Sequence, residues 1–245
     1  MNHLARLRAY RAAGHRIACG IFFNRLMSST PHRIFLLSPA HCGGERAKLL
    51  FRPQARFELA MKLRTPQGAM IGEVFAFLSG LYFRGKLAYA LRFANPPPAA
   101  SVDGQLVITT NRGLLPAHAY VTLKDLERMG RVDIDADERR YRAPLVRSVR
   151  ALSDAIGDDA DCDVVLLGSV ATGKYVDVLQ KHLGARLKFP AEFVGRGDMS
   201  RGGLMLRCVD EGRELHYVPI AGAVRHGQRP PKLEKRTAPT PTRRG

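Results

Sequence analysis

The segment Gly168-Ser-Val-Ala-Thr-Gly173-Lys174 joins an apolar run to a helical pattern, as a phosphate-cradling loop does. Glycines let backbone N–H groups turn toward an anion, and the opening of a helix adds a favourable field. The spacing matches Gly-x-x-x-x-Gly-Lys, but Tyr175 stands where a nucleotide-hydrolysing loop has the magnesium-holding Ser or Thr. The segment is therefore read as a phosphate- or nucleic-acid-contacting loop, with Ser169, Gly173, Lys174 and Tyr175 as contacts, or as a plain strand-to-helix turn. A second glycine-rich segment, Gly195 to Gly203, holds Arg196, Asp198, Ser200 and Arg201. Arginine forks match phosphate oxygens. Asp198 is either a general base or the ion-pair partner of Arg196 or Arg201.

Three further groups carry chemistry. Ser38 ends an apolar run, and His41-Cys42 follows it. His41 is a second acid–base candidate, whereas Cys42 reads as structural, because adjacent side chains seldom work on one atom. Asn111, Arg112 and Gly113 form a turn after another apolar run. Tyr82, Arg84 and Lys86 close a helical stretch and read either as a basic groove with a stacking aromatic or as core. No cofactor or metal pattern is present, and Cys19, Cys42, Cys162 and Cys208 form no Cys-x-x-Cys pair. That cysteine usage fits a reduced, cytoplasmic protein without a disulfide framework.

These residues need elements to hold them. Arg33 to Leu37, Leu106 to Thr109 and Asp163 to Leu167 read as buried strands. A helix is expected from near Glu45, an amphipathic stretch from Ala55 to Leu63, and one long helix from Gly72 to Ala94, stopped by Pro96 to Pro98. Residues 133–138 read as an acidic loop, and Pro144 as the first-turn proline of a helix that buries Leu145, Val149, Leu152 and Ile156 and ends at Gly157. Lys174 to Leu183 reads as a helix with Gly184 as its cap. Residues 185–220 read as strands, with Leu204 to Val209 and Leu215 to Val218 as a hairpin. The alternation predicts an α/β fold: a single domain with a mixed sheet flanked by helices. In such sheets ligands gather beyond the carboxyl ends of the strands.

The 245 residues are 45% hydrophobic and 25% charged, with a net charge of +17. The extension 1–30 carries +5 and the segment 225–245 carries +6, which leaves +6 for the domain at 31–224. The first 26 residues are Arg-rich and acid-free, compatible with a transit peptide, but read more simply as a dispensable extension. The Pro/Lys/Arg/Thr composition from Arg225 onward reads as a disordered tail. Such a basic excess draws polyanions through counterion release. Nucleic acid is the expected partner, with a nucleotide as the alternative. No run approaches the roughly 18 apolar residues of a membrane span.

Taken in order, several segments resemble the peroxide-stress protein YaaA family. Ile34-Phe-Leu-Leu-Ser-Pro-Ala40 resembles its opening strand and turn, Gly80-Leu-Tyr82 its tyrosine-containing helix, and Arg112-Gly-Leu-Leu115 its Tyr-Gly-Leu-Leu loop. Val164 to Tyr175 resembles its apolar strand followed by Ser and Tyr. Arg196-Gly-Asp-Met-Ser-Arg201 resembles its Arg-Gly-x-Met-Ser-Arg motif, the most specific match. Cys-Gly-Gly at 42–44 and Gly-Lys-Tyr at 173–175 resemble a less characterised bacterial branch. The family has lysine after Ser-Pro-Ala, where this chain has His41. The resemblance implies a stress-related DNA-binding protein with a basic cleft. The alternative is a nucleotide- or nucleobase-processing enzyme, with Asp198 or His41 as acid or base.

Overall fold

The computed structural model describes residues 31–157, 161–171 and 173–233. The extension at 1–30 and most of the basic tail lie outside the described residues. Strand β1 (His32–Leu37) leads to helices α1 (Glu45–Phe51) and α2 (Glu58–Arg64), a short strand β2 (Ala69–Met70), and helices α3 (Ile71–Ser79) and α4 (Leu81–Phe93). Then come β3 (Gln105–Ile108), β4 (Leu114–Pro116), β5 (Tyr120–Val121), α5 (Leu123–Gly130) and α6 (Arg139–Ile156). The chain continues through β6 (Cys162–Leu167), α7 (Gly173–Leu183), β7 (Leu187–Pro190), α8 (Asp198–Glu211) and β8 (Tyr217–Pro219).

The fold is α/β, as its sequence pattern predicts. One six-stranded mixed sheet runs β4-β3-β1-β6-β7-β8, and β2 pairs with β5 apart from it. The four central strands are parallel and both edge strands antiparallel. Strand β1 is apolar and buried from Ile34 to Leu37 because both its faces are covered there. Phe35 and Leu37 pack toward α1–α4 and α8, while Ile34 and Leu36 pack toward α6 and α7. The connection from β1 to β3 runs over one face, and those from β3 to β6 and β6 to β7 run over the other. The crevice beyond the ends of β1 and β6 is therefore the topological switch point, the place where ligands bind in open α/β sheets.

Three local expectations are corrected. The stretch from Gly72 to Ala94 is two helices, because Gly80 takes φ 61° and breaks it. Helix α6 begins at Arg139, so Pro144 lies inside it; fully buried Tyr141 anchors the turn before the proline, and the Glu138 side chain accepts the Arg140 N–H. The segment 198–211 is helix α8 and not a strand, with Gly202, Met205 and Cys208 buried at helical spacing. No hairpin forms there: β8 pairs with β7.

Helix α8 lies against α4 with almost no space between the backbones. A Cβ on Gly202 would stand 2.7 Å from the Leu81 carbonyl oxygen and 2.8 Å from the Tyr82 Cα; one on Gly85 would stand 2.6 Å from the Gly202 oxygen. These clashes are with backbone, which cannot swing aside. Gly203, one residue on, has only a Leu233 methyl group at 3.7 Å. Gly202→Ala is expected to destabilise the protein by about 1–3 kcal/mol through overpacking. Gly203→Ala is expected to be neutral or to stabilise by up to about 1 kcal/mol through helix propensity. Urea unfolding of the two variants beside the parent checks the pair; equal effects would mean that the crossing is not tight.

Candidate functional site

Leu37 pairs with Leu167, so Ser38 and Gly168 leave the sheet side by side, and the Ser38 N–H donates to the Leu167 carbonyl at 3.2 Å. Lys86 reaches this point from α4. Its Nζ donates to the Ser38 carbonyl at 2.7 Å and lies 2.9 Å from Ser38 Oγ. The ammonium stands 4.3 Å from the centre of the Tyr82 ring and 4.8 Å from that of Phe83, a cation–π setting. Lys86 keeps 1% of its surface exposed and Ser38 6%. From α7, Tyr175 Oη donates to the Ser169 carbonyl at 2.9 Å, and its hydroxyl lies beside Ser38 across Gly168. A Cβ on Gly168 would lie 2.7 Å from Ser38 Cβ and 3.0 Å from Tyr175 Oη, so only glycine fits between them.

The opening of α8 completes this centre. Arg201 donates from Nε and Nη2 to the Phe193 carbonyl at 3.2 and 3.1 Å and lies 3.5 Å from the exposed Asp198 carboxylate. Burial pushes the Lys86 amine down to about 7; Asp198 opposes the shift and Arg201 adds to it. Burial likewise pushes the Tyr82 and Tyr175 phenols above their usual range. The Tyr82 hydroxyl is buried without a hydrogen-bond partner; Arg201 acts on it through its charge and not through a well-aligned bond. An orphaned buried hydroxyl costs about 1–3 kcal/mol unless something else occupies the site.

The residues singled out by their types therefore divide. Ser38, Tyr82, Lys86, Ser169, Tyr175, Asp198 and Arg201 surround the buried centre. His41 and Lys174 line a neighbouring recess of about 450 Å³, with Thr110, Asp133 and Asp135 on its far wall. Asn111 and Arg112 face two more recesses. Arg196 donates to the Glu192 carbonyl and to Ser200, and both line a separate recess on the outer side of α8 with Arg207, Arg229 and Lys232. Arg84 is exposed on α4 and joins none of these. Gly113 serves the backbone: at φ 67° its carbonyl accepts from the Thr109 N–H, and a side chain there would meet Pro144 and Ser148. Gly173 opens α7, where a side chain would run into the Asp177 carboxylate. Cys42 is buried with its thiol pushed up to about 12, which leaves it no nucleophilic role.

The recesses at Asn111 were not legible in the loops. One of about 640 Å³ is lined by Asn111, Arg128, Arg131, Arg139, Arg140 and Arg147. The next, of about 530 Å³, is lined by Gln67, Asn111, Arg112, Tyr120, Arg128 and Asp125, the last an ion-pair partner of Arg128 at 3.9 Å. The first shares Val132 with the His41–Lys174 recess and shares Asn111 and Arg128 with the second, so the three lie in a row as neighbours. Tyr120, with 46% of its surface exposed, is the open aromatic of this row; Tyr82, the aromatic expected to stack, is core instead. Asn111 Oδ1 is buried with no partner at the junction. Arg131 pairs with Glu127 and Arg140 with Glu138, whereas among the described residues no carboxylate pairs with Arg139 or Arg147. The signal lay in α6, where 139, 143 and 147 share one helix face at i, i+4 spacing. No group of three or more His, Cys, Asp or Glu among the described residues is placed to hold a metal, and no helix there is long and apolar enough to cross a membrane.

A lysine whose amine is neutral when folded but charged when unfolded has a simple consequence. From about pH 7 to its ordinary value near 10.5, the unfolded chain holds the extra proton, so stability rises with pH across that window. The contribution approaches about 1.4 kcal/mol per pH unit. Lys86→Met is expected to remove it. Denaturant unfolding of both proteins at intervals from pH 7 to 10 checks this; parallel stability curves would mean that Lys86 is charged in the folded state.

Comparisons with protein-family models, with curated proteins and with solved structures give no match to this chain.

Proposed function

We propose that this protein binds a nucleic-acid strand along the row of recesses that runs from Lys174 past Asn111 to Tyr120. The observation that carries the reading is the adjacency of these recesses. Three recesses share lining residues, and arginines from the turn after β3, from α5 and from α6 converge on the two that meet at Asn111. Guanidinium forks take phosphate oxygens in two-point contacts, and among the described residues Arg139 and Arg147 have no carboxylate to compete for theirs. Tyr120 offers an exposed ring on which a base stacks. The orphaned Asn111 oxygen is an acceptor suited to an amino group on a base edge. The resemblance to the YaaA family supports the same reading, as does the +17 charge of the chain.

The test is a fluorescence-anisotropy titration of the full chain with a labelled single-stranded oligonucleotide at several salt concentrations. An Arg139→Ala/Arg147→Ala variant is expected to bind more weakly and to flatten the log–log salt slope, by about 0.7 for each single-strand phosphate that is no longer neutralised. Tyr120→Ala is expected to cost about 1–3 kcal/mol with little change in slope. Arg84→Ala, on an exposed helix face away from the row, is the control and is expected to bind like the parent. Parent-like affinity and slope in the double variant would place binding elsewhere, with the basic termini the first alternative.

A further inference from the structure

The row of recesses uses none of the chemistry at the switch point. Ser38, Lys86 and Tyr82 are set there with more care than packing requires. A buried lysine is ordinarily paired with a carboxylate; this one is spent on a serine. The Ser38 carbonyl accepts one N–H and holds the amine in place, and the amine nitrogen lies 2.9 Å from Ser38 Oγ. A neutral amine has a lone pair, which in this position takes the hydroxyl proton. Tyr82, whose ring centre lies 4.3 Å from the amine nitrogen, contributes a buried, unpartnered hydroxyl, and Arg201 contributes a positive charge that acts on both groups. Ala40, two residues beyond Ser38, and Lys174, next to Tyr175, line the recess of about 450 Å³ nearest in sequence to the pair, but neither Ser38 nor Lys86 lines it.

We infer that Ser38 and Lys86 form a nucleophile–base pair that transfers or hydrolyses the acyl group of an ester or amide. Ser38 Oγ bonds to the carbonyl carbon while its proton passes to Lys86 Nζ, and the carbonyl electrons move onto oxygen. The Tyr82 hydroxyl and the Arg201 charge stabilise that oxyanion. The intermediate collapses and breaks the bond to the leaving alcohol or amine, which takes the proton back from Lys86. Water then adds to the acyl-serine, with Lys86 again accepting a proton, and Ser38 and a carboxylic acid are released. Serine–lysine pairs are a recognised variant of this chemistry on unrelated folds. A dry, neutral lysine also satisfies the requirement that a general base work near neutral pH. The inference rests on the buried centre alone and is independent of nucleic-acid binding.

The test is labelling of the full chain with a fluorophosphonate probe, in which Ser38 Oγ displaces fluoride from phosphorus, followed by intact mass measurement and peptide mapping. One adduct is expected, at Ser38, and none in Ser38→Ala. In Lys86→Met the labelling rate is expected to fall at least about 100-fold, the usual contribution of a general base. Tyr82→Phe keeps the ring and is expected to slow labelling about 10-fold or more, because an oxyanion donor is removed. The groups facing Lys86 are Ser38 beyond β1 and Tyr82 and Phe83 on α4, with the charges of Asp198 and Arg201 on α8 acting on it. Asp198 and Arg201 act in opposite directions on the amine, so the labelling rate is expected to rise about tenfold per pH unit below 7 and to level above it. A melting curve for each variant confirms that it is folded. Adducts only at other serines, no adduct in the folded parent, or equal rates in the parent and folded Lys86→Met each overturn the inference.

Discussion

An amine held out of water constrains the fold around it. Lys86 keeps its place because the carbonyl and hydroxyl of Ser38 and two aromatic faces replace its hydration shell. An isolated buried ammonium is far too costly to persist, so the amine sheds its proton near neutral pH and trades charge for hydrogen bonds. That trade demands accurate placement of α4 over the end of β1. The Gly85–Gly202 crossing supplies it, because a backbone-to-backbone contact leaves α4 and α8 little room to slide. The same contact brings Asp198 and Arg201 to the rim of the centre. The electrostatics of the site and the packing of two helices are therefore one constraint seen at two scales.

The switch-point topology separates two environments. Strand β1 ends between helices of opposite faces, and Ser38 and Gly168 emerge side by side there, roofed by α4, α7 and α8. That position is dry. The turn after β3, displaced by one strand, opens outward, and α5 and α6 surround it with arginines. Low dielectric strengthens each interaction in the first place, whereas the exposed guanidinium groups in the second stay in contact with water. Tyr175 anchors the loop between them by donating to the Ser169 carbonyl, and Lys174 beside it faces the recess.

The sequence made the central strands legible because burial on both faces leaves nearly unbroken apolar runs, as at 34–37 and 164–167. It also marked Ser38, Lys86, Asp198 and Arg201, though without showing that they meet. Helix α8 reads wrongly from sequence because its glycines look like loop residues, while Leu204, Met205, Leu206 and Val209 look like strand. The glycines are there for the crossing, which is a tertiary fact. Pro144 is misplaced for a similar reason: Tyr141, not an apolar aliphatic, anchors the first turn of α6. The arginine row escapes because its members come from three segments, and only the α6 spacing hints at a common face. Tyr120 escapes because two-residue strands leave no periodic trace.

The division of the basic residues bears on what the positive charge does. Had all the arginines lined one hollow, the charge and the reactive groups would have shared a ligand of necessity. Instead Arg201 spends its donors on the Phe193 carbonyl and acts on the centre through its field alone. Among the described residues no carboxylate pairs with Arg139 or Arg147. A guanidinium that is already hydrogen-bonded costs no reorganisation when negative charge develops beside it, which favours stabilising a transient oxyanion over gripping a ground-state phosphate. A guanidinium on an open wall with no carboxylate beside it has the opposite aptitude. The two arginine environments therefore support different tasks, and the fold joins them through the short span from Ser169 to Tyr175.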